Sequence, residues 1–331
     1  MNDTSSYPLV SVILPSYNHS TYLKQRIDSI LDQTYTNYEL IILDDASPDA
    51  SADIINSYKD DPRVSIEINQ SNSGCVFKQW NKGLKKARGE LIWIAESDDY
   101  SDPCFLEILV SSLMTNPSVG MAFCNSYRVV NGIASLAFHT FYGEFSDQYH
   151  NDFIRSGLSY INEQLAFGNT IPNASSVVFR KNLLAATGFA DESFLLSADW
   201  VLWIKLLSIS DLIYISKTLN YYRYHDLTAR KKYSSNGVMI KEALMIQMIL
   251  KSITGITKSA CKQATKRVIN WYLIVRLDPK NVLSTSIAHE IDILAVQLYY
   301  PVRLKIFLHR VGLLRYYNFF RSQLASLQRS R

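Results

Sequence analysis

Two apolar runs in this chain each stop abruptly at a group of acids. One reads Leu91-Ile92-Trp93-Ile94-Ala95 and then Glu96-Ser97-Asp98-Asp99; the other reads Leu40-Ile41-Ile42-Leu43 and then Asp44-Asp45-Ala46-Ser47-Pro48-Asp49. Runs this short and apolar read as buried strands, and carboxylates crowded at a strand end repel one another unless a cation or ligand joins them. Two strands that deliver acids at their carboxyl ends point to an open α/β sheet, because such sheets bind ligands along that edge. The pattern suggests a grip on a metal-bound anion.

The surrounding sequence keeps an α/β rhythm. Val10 to Leu14 is a β-rich run stopped by Pro15, and Thr21 to Asp32 carries Tyr22, Leu23, Ile27, Ile30 and Leu31 at helical spacing. Helices are expected over Ser51 to Tyr58 and Cys75 to Ala87, with a strand over Val64 to Ile68 between them. A further helix follows, with Ser101 or Asp102 as cap, Pro103 near its first position, and Phe105, Leu106, Leu109 and Leu113 on one face. Such alternation predicts a mostly parallel sheet flanked by helices.

Beyond a strand at Val119 to Cys124, the stretch from Asn131 to Asn151 has no steady period and reads as loops and hairpins. A helix is expected over Asp152 to Ala166, a strand over Ser175 to Phe179, a short helix from Lys181, and a helix from Asp199 through Leu207. Strands at Leu212 to Ile215 and Leu219 to Tyr224 close a first domain, residues 1–232. Strand signals then vanish, and Leu244, Ile246, Met248, Ile249 and Ile253 recur at helical spacing, so residues 233–331 are expected to form an all-helical C-terminal region.

Composition narrows the function. The chain has 331 residues, 47% of them apolar, enough for one large core and a smaller appendage. Its net charge is only +4 and the basic residues are dispersed through the first two thirds of the chain, where nothing resembles the contiguous basic stripe that tracks a phosphate backbone, so nucleic acid is not the expected partner. Cys75, Cys104, Cys124 and Cys261 are too widely spaced for a zinc ribbon or a secreted disulfide framework and read as reduced core residues. The short polar stretch from Met1 to Pro8 has no leader pattern, and no apolar run approaches the ~18 residues of a membrane span, so a cytoplasmic protein is expected. In the tail, Arg303, Lys305, Arg310, Arg315 and Arg321 interleave with Leu304, Phe307, Leu308, Leu313, Leu314, Tyr316, Tyr317, Phe319 and Phe320. That segment reads either as a peripheral contact with an anionic membrane surface or as a helix hairpin packed on the core or on a second subunit.

The order of three motifs carries a resemblance. Pro15-Ser16-Tyr17-Asn18 follows the first strand, Asp44-Asp45-x-Ser47-x-Asp49 the second, and Ser97-Asp98-Asp99 the fourth. Over residues 8 to 230 or so the chain resembles family 2 glycosyltransferases of the GT-A fold, a Rossmann-like fold. The resemblance implies an inverting transferase that binds a nucleotide-diphospho-sugar across the carboxyl ends of the sheet, with a glycan or lipid-linked acceptor in cell-surface polysaccharide synthesis. By the same resemblance Pro15 and Tyr17 lie against the base, Asp45 accepts from the base imide, and Asp44 supports the turn. Asp98 would hold the ribose hydroxyls and Asp99 the divalent cation, with Mg²⁺ or Mn²⁺ the expected ion. Glu96 stands where many relatives have an aspartate, and Ser47 and Asp49 fit turn and cap roles.

Asn72-Ser73-Gly74 resembles the family's Asn-x-Gly segment, where glycine lets the backbone approach the phosphates, and Lys78, one turn into the following helix, is placed to reach a phosphate or else is simply solvated. Ser197-Ala198-Asp199-Trp200 matches the family's acidic pair before a Trp-containing helix, which makes Asp199 the general base and puts Ala198 where the first acid usually stands. Tyr222-Arg223-Tyr224-His225 resembles the family's Arg-x-His element, with His225 as metal ligand or phosphate donor and Arg223 as a phosphate or acceptor contact. Arg230 is a further loop contact, and the other five histidines carry no assignment. UDP-sugars are the favoured donors by family usage. A sugar-nucleotide-binding scaffold, motivated by Ala198, is the alternative. A nucleotidyltransferase would want a Gly-rich basic loop after the first strand, which Pro15-Ser16-Tyr17-Asn18 does not supply.

Overall fold

The apolar runs assemble into one ten-stranded sheet. The computed structural model describes residues 7–136, 142–225, 233, 237–277, 283–299, 301–304 and 307. The chain divides into two compact units, Met1–Thr228 with Thr254–Ile256, and Ala229–Ile253 with Thr257–Arg331. The sheet and the candidate site belong to the first.

The first unit opens with β1 (Val10–Ser16), α1 (Ser20–Leu31), β2 (Tyr38–Asp44), α2 (Ser51–Asn56), β3 (Val64–Ile68), α3 (Val76–Lys86) and β4 (Leu91–Ile94). It continues through β5 (Tyr100–Ser101), α4 (Phe105–Thr115), β6 (Val119–Val130), β7 (Ile133–Leu136), β8 (Phe153–Arg155) and α5 (Gly157–Tyr160). β9 (Val177–Arg180), α6 (Leu184–Thr187), α7 (Ala198–Leu207) and β10 (Asp211–Arg223) complete it. The strand order is β3-β2-β1-β4-β9-β6-β10-β5, with β7 paired to β6 and β8 to β10.

β1 is parallel to β2 and β4, β2 is parallel to β3, and β6 is parallel to β10. β9 runs antiparallel between β4 and β6, so the long strands on either side of it point the same way. The carboxyl ends of β1, β2, β4 and β10 and the start of β9 therefore share one edge. β1, β2 and β4 are buried along their whole lengths, as expected of parallel strands covered on both faces. Leu23, Ile27 and Ile30 of α1 and Phe105, Leu106 and Leu109 of α4 pack into the same core, where Trp93 stacks on Phe105 at 4.5 Å.

Several elements differ from the sequence reading. Pro15 lies inside β1: the ladder to β4 ends at Ile13, so the amide hydrogen that proline cannot supply has no strand partner to reach. Ser101 is a strand residue paired with Asn220, the cap position of α4 is Cys104, and Asp102 accepts from the Cys104 amide at 2.9 Å. The helix expected from Asp152 begins only at Gly157, because Phe153–Arg155 pairs with β10. A Cβ on Gly157 would sit 2.1 Å from the Leu207 and Ser210 carbonyl oxygens, so that helix start requires glycine. The two strands expected after α7 are one strand, β10, with register shifts between Ile215 and Asn220. The cysteines are free as expected, but only Cys124 is buried in the core; the other three are half-exposed.

The second unit is helical in its described residues: α8 (Val238–Ser252), α9 (Lys258–Leu277) and α10 (Thr285–Leu298). Ile240, Leu244, Ile269, Tyr272, Ile291 and Ala295 form its own core. Tyr272 and Arg276 both donate to Asp292, at 2.6 and 2.9 Å. No described helix is long and apolar enough to cross a membrane. Arg230 and most of the basic-aromatic tail, including Lys305, Arg310, Arg315 and Arg321, lie outside the described residues.

Candidate active site

Topology brings the sequence motifs together at one sheet edge. At the end of β2 the buried Asp44 accepts from the amide and hydroxyl of Ser47, at 2.9 and 2.6 Å, and the Ser47 oxygen in turn accepts from the Asn18 amide at 2.9 Å. Asp49 accepts from the amides of Ser20 and Ser51, which ties the β2 turn to the starts of α1 and α2. Asp44, Ser47 and Asp49 thus build the turn. Tyr17, in the neighbouring turn between β1 and α1, is 45% exposed and so open to stacking.

Asp45 is engaged more fully than the sequence suggests. Asn69 Nδ2, Gln79 Nε2 and the amide and hydroxyl of Ser73 all donate to its carboxylate, at 2.7, 2.8, 3.0 and 2.8 Å. Its roughly four lone-pair sites are taken. In this geometry Asp45 positions the segment that enters α3, where the sequence suggested a direct acceptor for a base. In that segment Asn72 Oδ1 accepts from the Gly74 amide at 2.6 Å, and Gly74 takes φ +74°, a conformation that suits glycine. Lys78 is exposed and donates to the Ser73 carbonyl at 3.1 Å.

The acids after β4 are separated by their surroundings. Glu96 accepts from Trp80 Nε1 at 2.8 Å, and burial with Asp98 and Asp99 nearby pushes its pKa up to about 8. Asp99 is 1% exposed, accepts from the Arg223 amide at 3.0 Å and is hydrogen-bonded by Asn173 Nδ2. Burial, reinforced by Asp98, pushes its pKa up to about 7. Asp98 is held the other way: burial acts to raise it, but the bond from His225 and the neighbouring His19 outweigh that and keep it below the usual range.

His225 Nε2 lies 3.0 Å from Asp98 Oδ2. His19, just after the first motif, joins them, and one ligand atom from each of His19, Asp98 and His225 lies within 4.8 Å of the others. Burial lowers the His19 pKa, with Asp98 opposing. A carboxylate and two imidazoles suit a divalent cation chemically. The structure therefore groups Asp98 with His225, whereas Asp99, the expected cation ligand, has its oxygens turned to Arg223 and Asn173.

Two arginines flank the acids. Arg26 is completely buried, donates to Ser101 Oγ at 2.8 Å and lies 4.8 Å from the Trp93 ring centroid, while its Nε and Nη2 have no hydrogen-bond partner among the described residues. Burial lowers its pKa to about 10, opposed by Asp99, Glu96 and Asp98. Arg223 is clamped between the rings of Tyr22 and Tyr100, at 4.9 and 4.6 Å, and donates to the Asp98 carbonyl at 2.5 Å and to Gln25. Its guanidinium holds the acidic turn, in place of the free phosphate contact that the sequence suggested.

Asp199 stands in the first turn of α7, after the cap residue Ser197. Asn169 Nδ2 donates to it at 3.0 Å, and Asn173, four residues on, holds Asp99. One short loop therefore touches both the expected base and the acidic turn. The buried Asn220 steadies that loop, donating to Asn173 Oδ1 and Ser126 Oγ at 2.9 Å each. Asn81 grips the segment leading to α7 through Ala190 and Glu192. Ala198 is fully buried, so the acid common at that position would have no solvent here. His19, Arg26, Asn169, Asn173 and Asn220 went unassigned in the sequence; only the adjacency of His19 to the first motif hinted at a role.

A family model described as glycosyl transferase family 2 matches residues 11–174. An uncharacterized glycosyltransferase of Rickettsia typhi is 30% identical over 229 residues, 68% of this chain and 67% of that protein. A Bacillus subtilis protein provisionally named as a teichuronic acid biosynthesis glycosyltransferase is 41% identical over 97 residues, and the match spans only 38% of its length. Among solved structures, residues 1–349 of S. aureus TarS in complex with UDP-GlcNAc superpose with a TM-score of 0.65 at 18% identity, covering 92% of each chain. At that identity the likeness carries the fold, which is GT-A.

Proposed function

The chain belongs to glycosyl transferase family 2, and from that membership we propose that it moves one sugar from a nucleotide-diphospho-sugar, with UDP-sugars favoured, to a hydroxyl of a glycan or lipid-linked acceptor, with inversion. Cell-surface polysaccharide synthesis is the setting, in keeping with the Bacillus subtilis relative. The observation that carries the reading is the convergence of the turn after β1, Asp45, the Asp98–Asp99 turn, Arg223, His225 and the Asn169–Asn173 loop at one edge of the sheet.

Each group has a physical task. Tyr17 offers a ring face to the base, with Pro15 at the strand end behind it, while Asp45 fixes Ser73 and the Asn72–Gly74 turn around the donor. Asp98 and His225 hold the cation, Mg²⁺ or Mn²⁺, and Asp99 with Arg223 and Asn173 keeps the turn that presents them. When bound there, a divalent cation neutralises charge on the departing nucleoside diphosphate. Asp199, oriented by Asn169, removes the proton from the acceptor hydroxyl as its oxygen attacks the anomeric carbon. The displacement needs no covalent intermediate on the protein. Lys78 and Arg223 serve the site through backbone carbonyls.

The test is binding and slow hydrolysis of UDP-, dTDP- and GDP-sugars with Mn²⁺, Mg²⁺ or chelator, for the wild type, Asp98→Asn and Asp199→Asn. Asp98→Asn should lose metal-dependent binding. Asp199→Asn should keep binding and lose turnover by 10²-fold or more, on the order of a missing general base. Sugar-nucleotide binding with no hydrolysis or transfer in the wild type would favour the scaffold reading.

A further inference from the structure

We propose that His19 is a third ligand of the cation site, so that His19, Asp98 and His225 hold a first-row transition cation in the protein alone, before any nucleotide arrives, and prefer it to Mg²⁺. The inference deepens the function proposed above and rests on its placing the cation at Asp98. A site built from one carboxylate needs diphosphate oxygens to complete it, because Mg²⁺ is otherwise content with water. Three protein ligand atoms within 4.8 Å of one another form a more complete site.

The two imidazoles are held in place as ligands are. His19 caps α1, where its carbonyl accepts from the Tyr22 and Leu23 amides, at 2.9 and 3.0 Å. Its Nδ1 is 2.8 Å from the hydroxyl of Ser97, which is buried and adjacent in the chain to Asp98. One turn thus orients two of the three donors. The His19 and His225 rings meet edge to face at 5.6 Å, and Tyr22 packs against both, at 6.2 and 4.9 Å. Partners that fix a ligand's ring are the usual support of a metal site.

The donor set decides the ion. Two neutral nitrogens and one carboxylate favour first-row cations in the order Mn²⁺ below Co²⁺, and disfavour Mg²⁺, which demands oxygens in near-octahedral array. Asp98 is the one anionic donor among the three, so the site carries little charge to attract a hard ion by electrostatics alone.

The experiment is a Mn²⁺ titration of the full chain followed by electron paramagnetic resonance, without nucleotide, for wild type, His19→Ala and His19→Gln. His19→Gln keeps a polar group for Ser97 and removes the imidazole donor, and urea unfolding of each variant verifies folding. The wild type should bind one Mn²⁺ per chain, both variants should bind it at least ~10-fold more weakly, and Co²⁺ should displace it at a concentration at least ~10-fold below that needed for Mg²⁺. Unchanged Mn²⁺ affinity in a folded His19 variant, or equal competition by Mg²⁺, overturns the proposal. If the wild type takes up Mn²⁺ only after UDP is added, the three-ligand site fails while the transferase reading stands. Absence of uptake with UDP as well brings down both.

Discussion

Single residues here owe their roles to charge balance that the chain order conceals. Glu96, Asp98 and Asp99 are legible as an acidic cluster, and the family resemblance puts the cation on Asp99 and the ribose on Asp98, whereas composition and spacing alone do not separate them. Burial ranks them: Asp99 turns inward to Asn173 and the Arg223 amide, and Asp98 turns to His225. Arg26 had no signal at all, since an arginine among helical apolar positions reads as a solvated face, yet it is fully buried beside those acids. Removing its charge leaves the carboxylates with less to offset them, so Arg26→Met should destabilise the protein by about 3–5 kcal/mol at pH 8, the usual cost of breaking a buried charge pairing. The loss should shrink at pH 6. Glu96, raised to about 8, and Asp99, raised to about 7, are then largely protonated and no longer need the cation. Urea unfolding at the two pH values measures it, and an equal loss at both would show that Arg26 acts by packing alone. Asn169 and Asn173 were equally silent, because an asparagine in a loop reads as turn chemistry until its partner across the fold is known.

At the scale of elements, periodicity served well where one element packs as one unit and failed where a partner strand decides. α1, α3 and the parallel strands β1 to β4 follow from apolar spacing. The start of α5, the β5 strand and the unbroken β10 do not, because each is set by hydrogen bonds to a distant segment. The opposite edge of the sheet shows the same dependence. Glu39 of β2 accepts from Ser11 Oγ of β1 at 2.6 Å and from the Arg88 amide before β4 at 2.8 Å, so one carboxylate stitches three elements. Burial would raise its pKa, but the bonds from Ser11 and Arg88 outweigh that and lower it. A lowered folded pKa contributes stability that is fully present above the unfolded value and lost as pH falls through the folded one. Glu39→Gln should therefore cost about 1.5–3 kcal/mol at pH 7, the range for hydrogen bonds to a charged group, and the gap from wild type should close below about pH 4. Chemical unfolding from pH 7 to pH 3 tests this; a gap independent of pH would assign the loss to shape.

For the whole molecule, the first unit carries both the sheet and the site, so occupancy of the site and folding of that unit are linked. UDP with Mn²⁺ at a hundred times its Kd should stabilise that unit by about 2.7 kcal/mol and raise its melting temperature by roughly 5–10 °C. Thermal melts with and without chelator measure the shift, and Asp98→Asn should erase it. A full shift in the presence of chelator would show that nucleotide binds without the cation. The sequence by itself determined the α/β class, the family, the helical character of the later region and the strand ends at which function gathers. Apolar spacing and motif order are local properties, and a chain carries them openly. Only the tertiary structure decided that His19 stands with Asp98 and His225, that Asp45 and Arg223 are tied to neighbouring segments, and that one loop from Asn169 to Asn173 reaches both Asp199 and Asp99. Those pairings join residues far apart in the chain, and their strength comes from burial and alignment of polar groups, neither of which exists until the sheet has formed.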